Sequence, residues 1–178
     1  SMMLVGPPED NELGENWVSS SQSYGDGDFG TPGSLNFSDN GFMVTVNDGW
    51  NLIGLPVMVE DSHYQSVFPS SVSGTLYGYN GVYTEEENVM NGHGYWLRFS
   101  ETENLFIAGQ EINSLSILLS EGWNLITGIS QEFSVEDIED PEGIIILDTF
   151  YEFDGTYTNV SSLEPGKGCW VKANSSGT

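Results

Sequence analysis

Apolar and polar residues alternate in short runs along this chain, and no stretch sustains the 3.6-residue period of a long helix. Phe42-Met43-Val44-Thr45-Val46 is a β-branched strand pattern that stops at Asn47-Asp48-Gly49, a turn signal. Residues 50–56 then read as a second strand, so the two are expected to pair as a hairpin. Residues 60–73 have no period beyond one short helical turn around His63 to Val67. Thr75-Leu76-Tyr77-Gly78-Tyr79 reads as a strand, Asn80-Gly81 as a tight turn, and Val82-Tyr83-Thr84 as the returning partner. Strands at residues 94–99 and 105–108 follow. Residues 1–40 are poor in apolar positions and rich in Gly, Pro, Asp, Asn and Ser, which predicts an irregular segment.

The same pattern then recurs. Val46-Asn47-Asp48-Gly49-Trp50-Asn51-Leu52-Ile53 is echoed by Leu119-Ser120-Glu121-Gly122-Trp123-Asn124-Leu125-Ile126, an offset of 73 (123 − 50). Tyr79-Asn80-Gly81-Val82-Tyr83 returns as Phe153-Asp154-Gly155-Thr156-Tyr157, and Gly94-Tyr95-Trp96-Leu97-Arg98 as Gly168-Cys169-Trp170-Val171-Lys172, both at an offset of 74 (153 − 79 and 170 − 96). Three blocks in one order make a duplicated unit. Ser134, with Glu136 and Asp137 behind it and Pro141 beyond, marks the second copy's helical turn. The expected architecture is all-β: two tandem copies of a small barrel or sandwich of about seventy-four residues, related by a pseudo-twofold, after an irregular N-terminal segment. The boundaries fall at 1–40, 41–112 and 113–178. The counterpart of the strand at residues 105–108 would lie past Ala173, so the second copy is expected to be a strand short.

Composition narrows the partners. There are 27 Asp and Glu against 3 Lys and Arg, a formal charge of −24. Nucleic acid and anionic membrane surfaces need cations that this chain lacks. Gly, Ser, Asn, Thr and Tyr fill much of the polar complement, which suits an extracellular or cell-surface protein. The lone Cys169 sits in an apolar strand and reads as packing. Ser1-Met2 reads as a remnant of tag removal, so the chain is expected to come from a longer polypeptide.

Two resemblances bear on these expectations. Trp17-Val18-Ser19 followed by Gly30-Thr31-Pro32-Gly33-Ser34-Leu35-Asn36 resembles the closing segment of lamin-tail-like domains of bacterial secreted proteins. The paired blocks resemble a tandem Gly-Trp-Asn-Leu-Ile-Gly … Tyr-x-Tyr-x-Gly-x-Tyr … Gly-x-Gly-Tyr-Trp-Val unit of large extracellular proteins of marine and gliding bacteria. That resemblance implies secretion and flanking domains in the parent polypeptide; it implies no defined activity.

The candidate chemistry lies in the third block. Arg98, Lys167 and Lys172 are all the cations of the chain, and Arg98 and Lys172 are equivalent. Residues two apart in a strand share a face, so Trp96 should lie beside Arg98 and Trp170 beside Lys172. An indole next to a cation can stack on a pyranose and bond its hydroxyls. The competing reading makes both tryptophans core, with the cation's stem lying over them. Tyr83 and Tyr157, at the hairpin tips, join the candidate ligand-binding set. Trp50 and Trp123 read as buried, and Asn51 and Asn124 as turn-bonding side chains. Asp26 and Asp28 resemble part of a calcium loop without its bidentate Glu. No zinc spacing, nucleophile elbow or phosphate loop appears, and no carboxylate pair is singled out for glycoside chemistry. The expectation is a non-catalytic extracellular module without a tightly held cofactor that binds a polysaccharide or other glycan. The alternative is a structural spacer or adhesin segment, with Ca2+ as its stabilising ion.

Overall fold

The computed structural model describes residues 41–178, and before them only the backbone of four short strands: Met2–Leu4 (β1), Trp17–Ser19 (β2), Ser23–Tyr24 (β3) and Asp28–Phe29 (β4). Then come Gly41–Val46 (β5), Gly49–Gly54 (β6), Val57–Met58 (β7), the helical turn Tyr64–Val67 (α1), Tyr77–Tyr79 (β8), Tyr83–Glu85 (β9), Gly94–Phe99 (β10), Glu103–Ala108 (β11) and Gln110–Glu111 (β12). The second half holds Gly122–Thr127 (β13), Phe133–Ser134 (β14), a 3-10 turn at Val135–Asp137, Tyr151–Phe153 (β15), Tyr157–Asn159 (β16), Ser162–Leu163 (β17) and Gly168–Ala173 (β18). The protein is all-β, as its alternation requires. His63 and Ser134 cap the two helical turns, their side chains accepting from the backbone N–H of Gln65 and Glu136.

Two four-stranded antiparallel sheets carry the architecture, in the orders β6-β10-β8-β9 and β13-β18-β15-β16. Their registers correspond: Trp96 faces Leu52 and Arg98 faces Trp50 in one, Trp170 faces Leu125 and Lys172 faces Trp123 in the other. Both tip hairpins form as expected, with Tyr79 opposite Tyr83 and Phe153 opposite Tyr157. The sheets are open, and no closed barrel exists among the described residues, which corrects the barrel form of the expectation.

The hairpin expected across Asn47-Asp48-Gly49 is also corrected. β5 pairs with β11, while β6 pairs with β10. The reason lies in Asn51, whose Oδ1 accepts the Asn47 N–H (2.8 Å) while its Nδ2 donates to the carbonyls of Asn47 (2.8 Å) and Gly49 (3.1 Å). A side chain, not a cross-strand partner, satisfies the turn, and Gly49 at φ +92° redirects the chain to a different sheet. Asn124 repeats the three bonds to Ser120 and Gly122, with Gly122 at φ +98°.

Each sheet has an inner face. Tyr95, Leu97 and Phe99 alternate into a core with Val44, Ile53, Phe68 and Ile107; Cys169, Val171 and Ala173 do the same with Leu119, Ile126, Ile144 and Phe150. Among the described residues the first core holds fifteen buried side chains and the second eight, so the second half is the thinner. Where β5 pairs with the six residues of β11, the second half keeps only a bridge between Leu119 and Gly177.

The outer faces meet. The Gly54 N–H donates to the Gly166 carbonyl (3.0 Å) and the Thr127 N–H to the Gly92 carbonyl (3.3 Å), while Ile53 bridges to Lys167 and Ile126 to His93. These contacts are reciprocal at the repeat offset. Leu52, Leu125 and Trp170 are buried between the halves, with Trp96, Tyr79, Tyr151 and Phe153 packed around them. No helix among the described residues is long and apolar enough to cross a membrane.

Candidate functional site

The hairpins trade their tips. Tyr79 and Tyr83, from the first half, pack edge-on against Trp170 of the second at ring separations of 4.8 and 6.5 Å. In return Phe153 packs on Trp96 at 4.9 Å, with Tyr157 behind it at 5.3 Å. Behind each swapped pair stands the half's own aromatic set: Trp123 with Tyr151 and Trp170, and Trp50 with Tyr77 and Trp96. Turn chemistry at Asn80-Gly81 and Asp154-Gly155 places those tips, since Gly81 and Gly155 supply the positive φ of a tight hairpin.

One of the two clusters opens into a cleft. Tyr79, Tyr83, Trp123, Tyr151, Tyr157 and Trp170 enclose about 470 Å³, and every lining side chain is an aromatic ring. Both halves contribute, so neither could form it alone. Tyr83, Tyr157 and Trp123 are exposed at its mouth, and Trp170 forms its floor at 8% exposure. The Trp170 indole nitrogen is buried without a hydrogen-bond partner. It lies close enough to the Tyr157 hydroxyl to favour the phenolate without completing a bond, while burial, the larger effect, and the Tyr83 phenol raise Tyr157 above the ordinary tyrosine value.

The sister cluster is closed differently. Asn47 Nδ2 donates to Asp154 Oδ1 (3.1 Å), tying the hairpin tip to the turn before β6, over a smaller space of about 410 Å³ lined by Trp50, Asn51, Phe153 and Gly155 among others. Phe153 also replaces the Tyr79 hydroxyl there.

The side chains singled out from sequence are thus rearranged. Trp96 and Trp170 share a face with Arg98 and Lys172 as the strand period requires, but that face is turned toward the other half of the molecule. Trp170 is buried and Trp96 half-buried. The tryptophans read as buried are the exposed ones, Trp50 at 44% and Trp123 at 40%, which corrects that assignment. Cross-strand pairing sets the partner: Lys172 stands opposite Trp123, and its Nζ lies 5.8 Å from the Trp123 ring centroid. Arg98 stands opposite Trp50 and is exposed. Lys167, the third cation, is bound to Glu164 (2.6 Å) and Glu152 (3.7 Å). Tyr83 and Tyr157 lie at the cleft mouth as hairpin-tip aromatics. Tyr79, which sequence singles out only as a hairpin-end aromatic, also lines the cleft, as do Trp123 and Tyr151, which sequence does not assign to a ligand. Their signal was the apolar alternation Trp50-x-Leu52 and Trp123-x-Leu125, which marks a second packed face on each sheet.

Asp26 lies outside the described residues, and of Asp28 only the backbone is described, so the calcium loop has no geometry here. Among the described residues no three His, Cys, Asp or Glu side chains are grouped to hold a metal ion. Cys169 is buried, and burial first, then the Glu152 charge, pushes its thiol up to about 12, which leaves it unreactive.

No protein-family model matches the chain, and no curated protein or solved structure matches it either.

Proposed function

We propose that the chain is a non-catalytic, extracellular carbohydrate-binding module of a larger secreted protein, and that its site is the aromatic cleft between the two halves. The observation that carries this reading is the cleft's make-up: six aromatic side chains line it, and the Lys172 Nζ lies 5.8 Å from the centroid of the exposed Trp123 ring. Ring faces give a sugar its apolar contacts, while the Tyr83 and Tyr157 hydroxyls and Lys172 supply hydrogen bonds to hydroxyls or a carboxylate. Trp123 is the stacking platform, and Trp170 positions it. Arg98 and Trp96 belong to the sister cluster, which the Asn47–Asp154 bond spans and whose smaller space is lined partly by polar groups, so one principal site is expected rather than two equal ones.

Affinity electrophoresis against neutral and anionic polysaccharides tests the proposal. At least one glycan should retard the intact chain, and Trp123→Ala should abolish the retardation without shifting the melting temperature by more than a few degrees. No retardation by any glycan overturns it. The burial of Trp170 and the partial burial of Trp96 between the halves favour a second reading, a structural spacer whose aromatics are its core. Under that reading Trp123→Ala is silent in every binding assay.

A further inference from the structure

Two of the chain's three cations stand without a countercharge. Lys167 is held by Glu164 at 2.6 Å and Glu152 at 3.7 Å. Arg98 and Lys172 make no ion pair among the described residues, although the chain carries 27 Asp and Glu against 3 Lys and Arg. On so acidic a surface a cation meets a carboxylate unless its neighbourhood is kept free of them. Both occupy equivalent places, Arg98 opposite the exposed Trp50 and Lys172 opposite the exposed Trp123.

The two neighbourhoods differ in what they can bond. The space beside Trp50 is lined by Asn47, Asp48, Asn51 and Asp154. Carboxylates and amide oxygens of that kind accept hydrogen bonds from sugar hydroxyls. The cleft beside Trp123 has no such group: four tyrosines and two tryptophans line it, with no carboxylate or amide side chain. The charge next to it is the Lys172 ammonium, 5.8 Å from the Trp123 ring centroid, a group with three donors and no acceptor on a flexible stem. Phenol hydroxyls can donate alongside it. A hydroxyl-bearing neutral sugar offers donors that such a lining answers poorly, whereas a carboxylate offers acceptors alone.

We propose, resting on the reading of the cleft as a glycan site, that its ligand is an acidic glycan: a uronic-acid ring lies on Trp123, and its carboxylate is held by the Lys172 ammonium and the tyrosine hydroxyls. The overall charge of −24 sets how many carboxylates that glycan carries. At physiological ionic strength the field of the distant acids decays over about 8 Å, so one carboxylate in contact with Lys172 is favoured. Further carboxylates along the same glycan would meet acidic surface and no second cation. The class is therefore a glycan with single uronates among neutral sugars, not a continuous polyuronate.

Reducing the uronates of a polysaccharide to neutral sugars removes the carboxylate and keeps every linkage, which makes a matched probe. Glucuronoxylan, xanthan and gum arabic, each native and carboxyl-reduced, are titrated into the full chain by calorimetry at physiological salt, beside neutral polysaccharides and polygalacturonate. At least one native polysaccharide should bind about tenfold or more tightly than its own reduced form, as a charge-assisted hydrogen bond provides. Lys172→Met should bring that pair to within about twofold, and Lys172→Arg, which keeps the charge, should retain most of the preference. The comparison of native and reduced forms needs no variant, so it holds whether or not a substitution disturbs folding. Equal binding of the two forms, or binding of neutral glycans alone, overturns the uronate and leaves the glycan site standing. A preference that survives Lys172→Met overturns the role of Lys172. Tightest binding by polygalacturonate overturns the single-uronate class. No binding by any polysaccharide overturns the glycan site itself, and the uronate with it.

Discussion

Gly54 and Thr127 occupy the same place in the two Gly-Trp-Asn-Leu-Ile strands, 73 residues apart (127 − 54), and they meet at the junction, where a Cβ on Gly54 would overlap the Thr127 side chain. Two identical residues with side chains could not pass each other there. The two strands differ at this point, which lets the Gly54–Gly166 and Thr127–Gly92 hydrogen bonds form.

Gly54→Ala should therefore destabilise the protein by about 1–3 kcal/mol through overpacking, with no backbone strain to account for it. Thr127→Gly alone should cost about 1 kcal/mol, since the Thr127 hydroxyl donates to the Lys167 carbonyl (2.9 Å). The double variant should be more stable than Gly54→Ala. A urea-melt cycle reads the coupling, and strict additivity would show that the two positions do not touch.

The Asn51 and Asn124 turns make a matched pair of tests. Each side chain satisfies three backbone groups with the same geometry, so Asn51→Ala and Asn124→Ala should each cost about 1–3 kcal/mol. Asn→Asp keeps the acceptor but loses both donations, and should be no better than Ala above the carboxylate pKa. Acid titration of the Asp variants should recover part of the loss as the carboxyl gains a proton.

Local chemistry in the sequence foretold much of this. Asn80-Gly81 and Asp154-Gly155 gave hairpins, Ser134 gave a cap, and the alternation around Tyr95 and Cys169 gave the inner faces. Long-range pairing was not legible. A turn signal at Asn47-Asp48-Gly49 says that the chain reverses, but whether the flanking strands bond to each other depends on competitors far away, here β11 and β10. The candidate site suffered likewise. A face bearing Trp and Arg two apart looks solvent-directed within one unit, and only the other unit's hairpin tip, Phe153 or Tyr79, shows that it is half covered.

Glu152 and Cys169 give the last test, through pH. Gly78 and Tyr95 hold these positions in the first half, where Tyr95 lies against Gly78; in the second half the Glu152 charge acts on the buried Cys169 thiol. Burial raises the Glu152 carboxyl, with Lys167 acting against that rise, and raises the Cys169 thiol from 9.0 to about 12. For both groups the folded value lies above the unfolded one, so the folded state binds the proton more tightly. Each contribution to stability is full below the unfolded value and is lost as pH climbs through the folded one. The Cys169 share should fade between pH 9 and about 12. Cys169→Ala should consequently lose less stability than the parent across that alkaline window, whatever fixed offset its smaller volume causes below pH 9. Glu152→Gln should in turn gain on the parent as pH rises from the acid range toward neutrality. Parallel stability curves for parent and variants, measured by urea melts at each pH, would contradict both assignments.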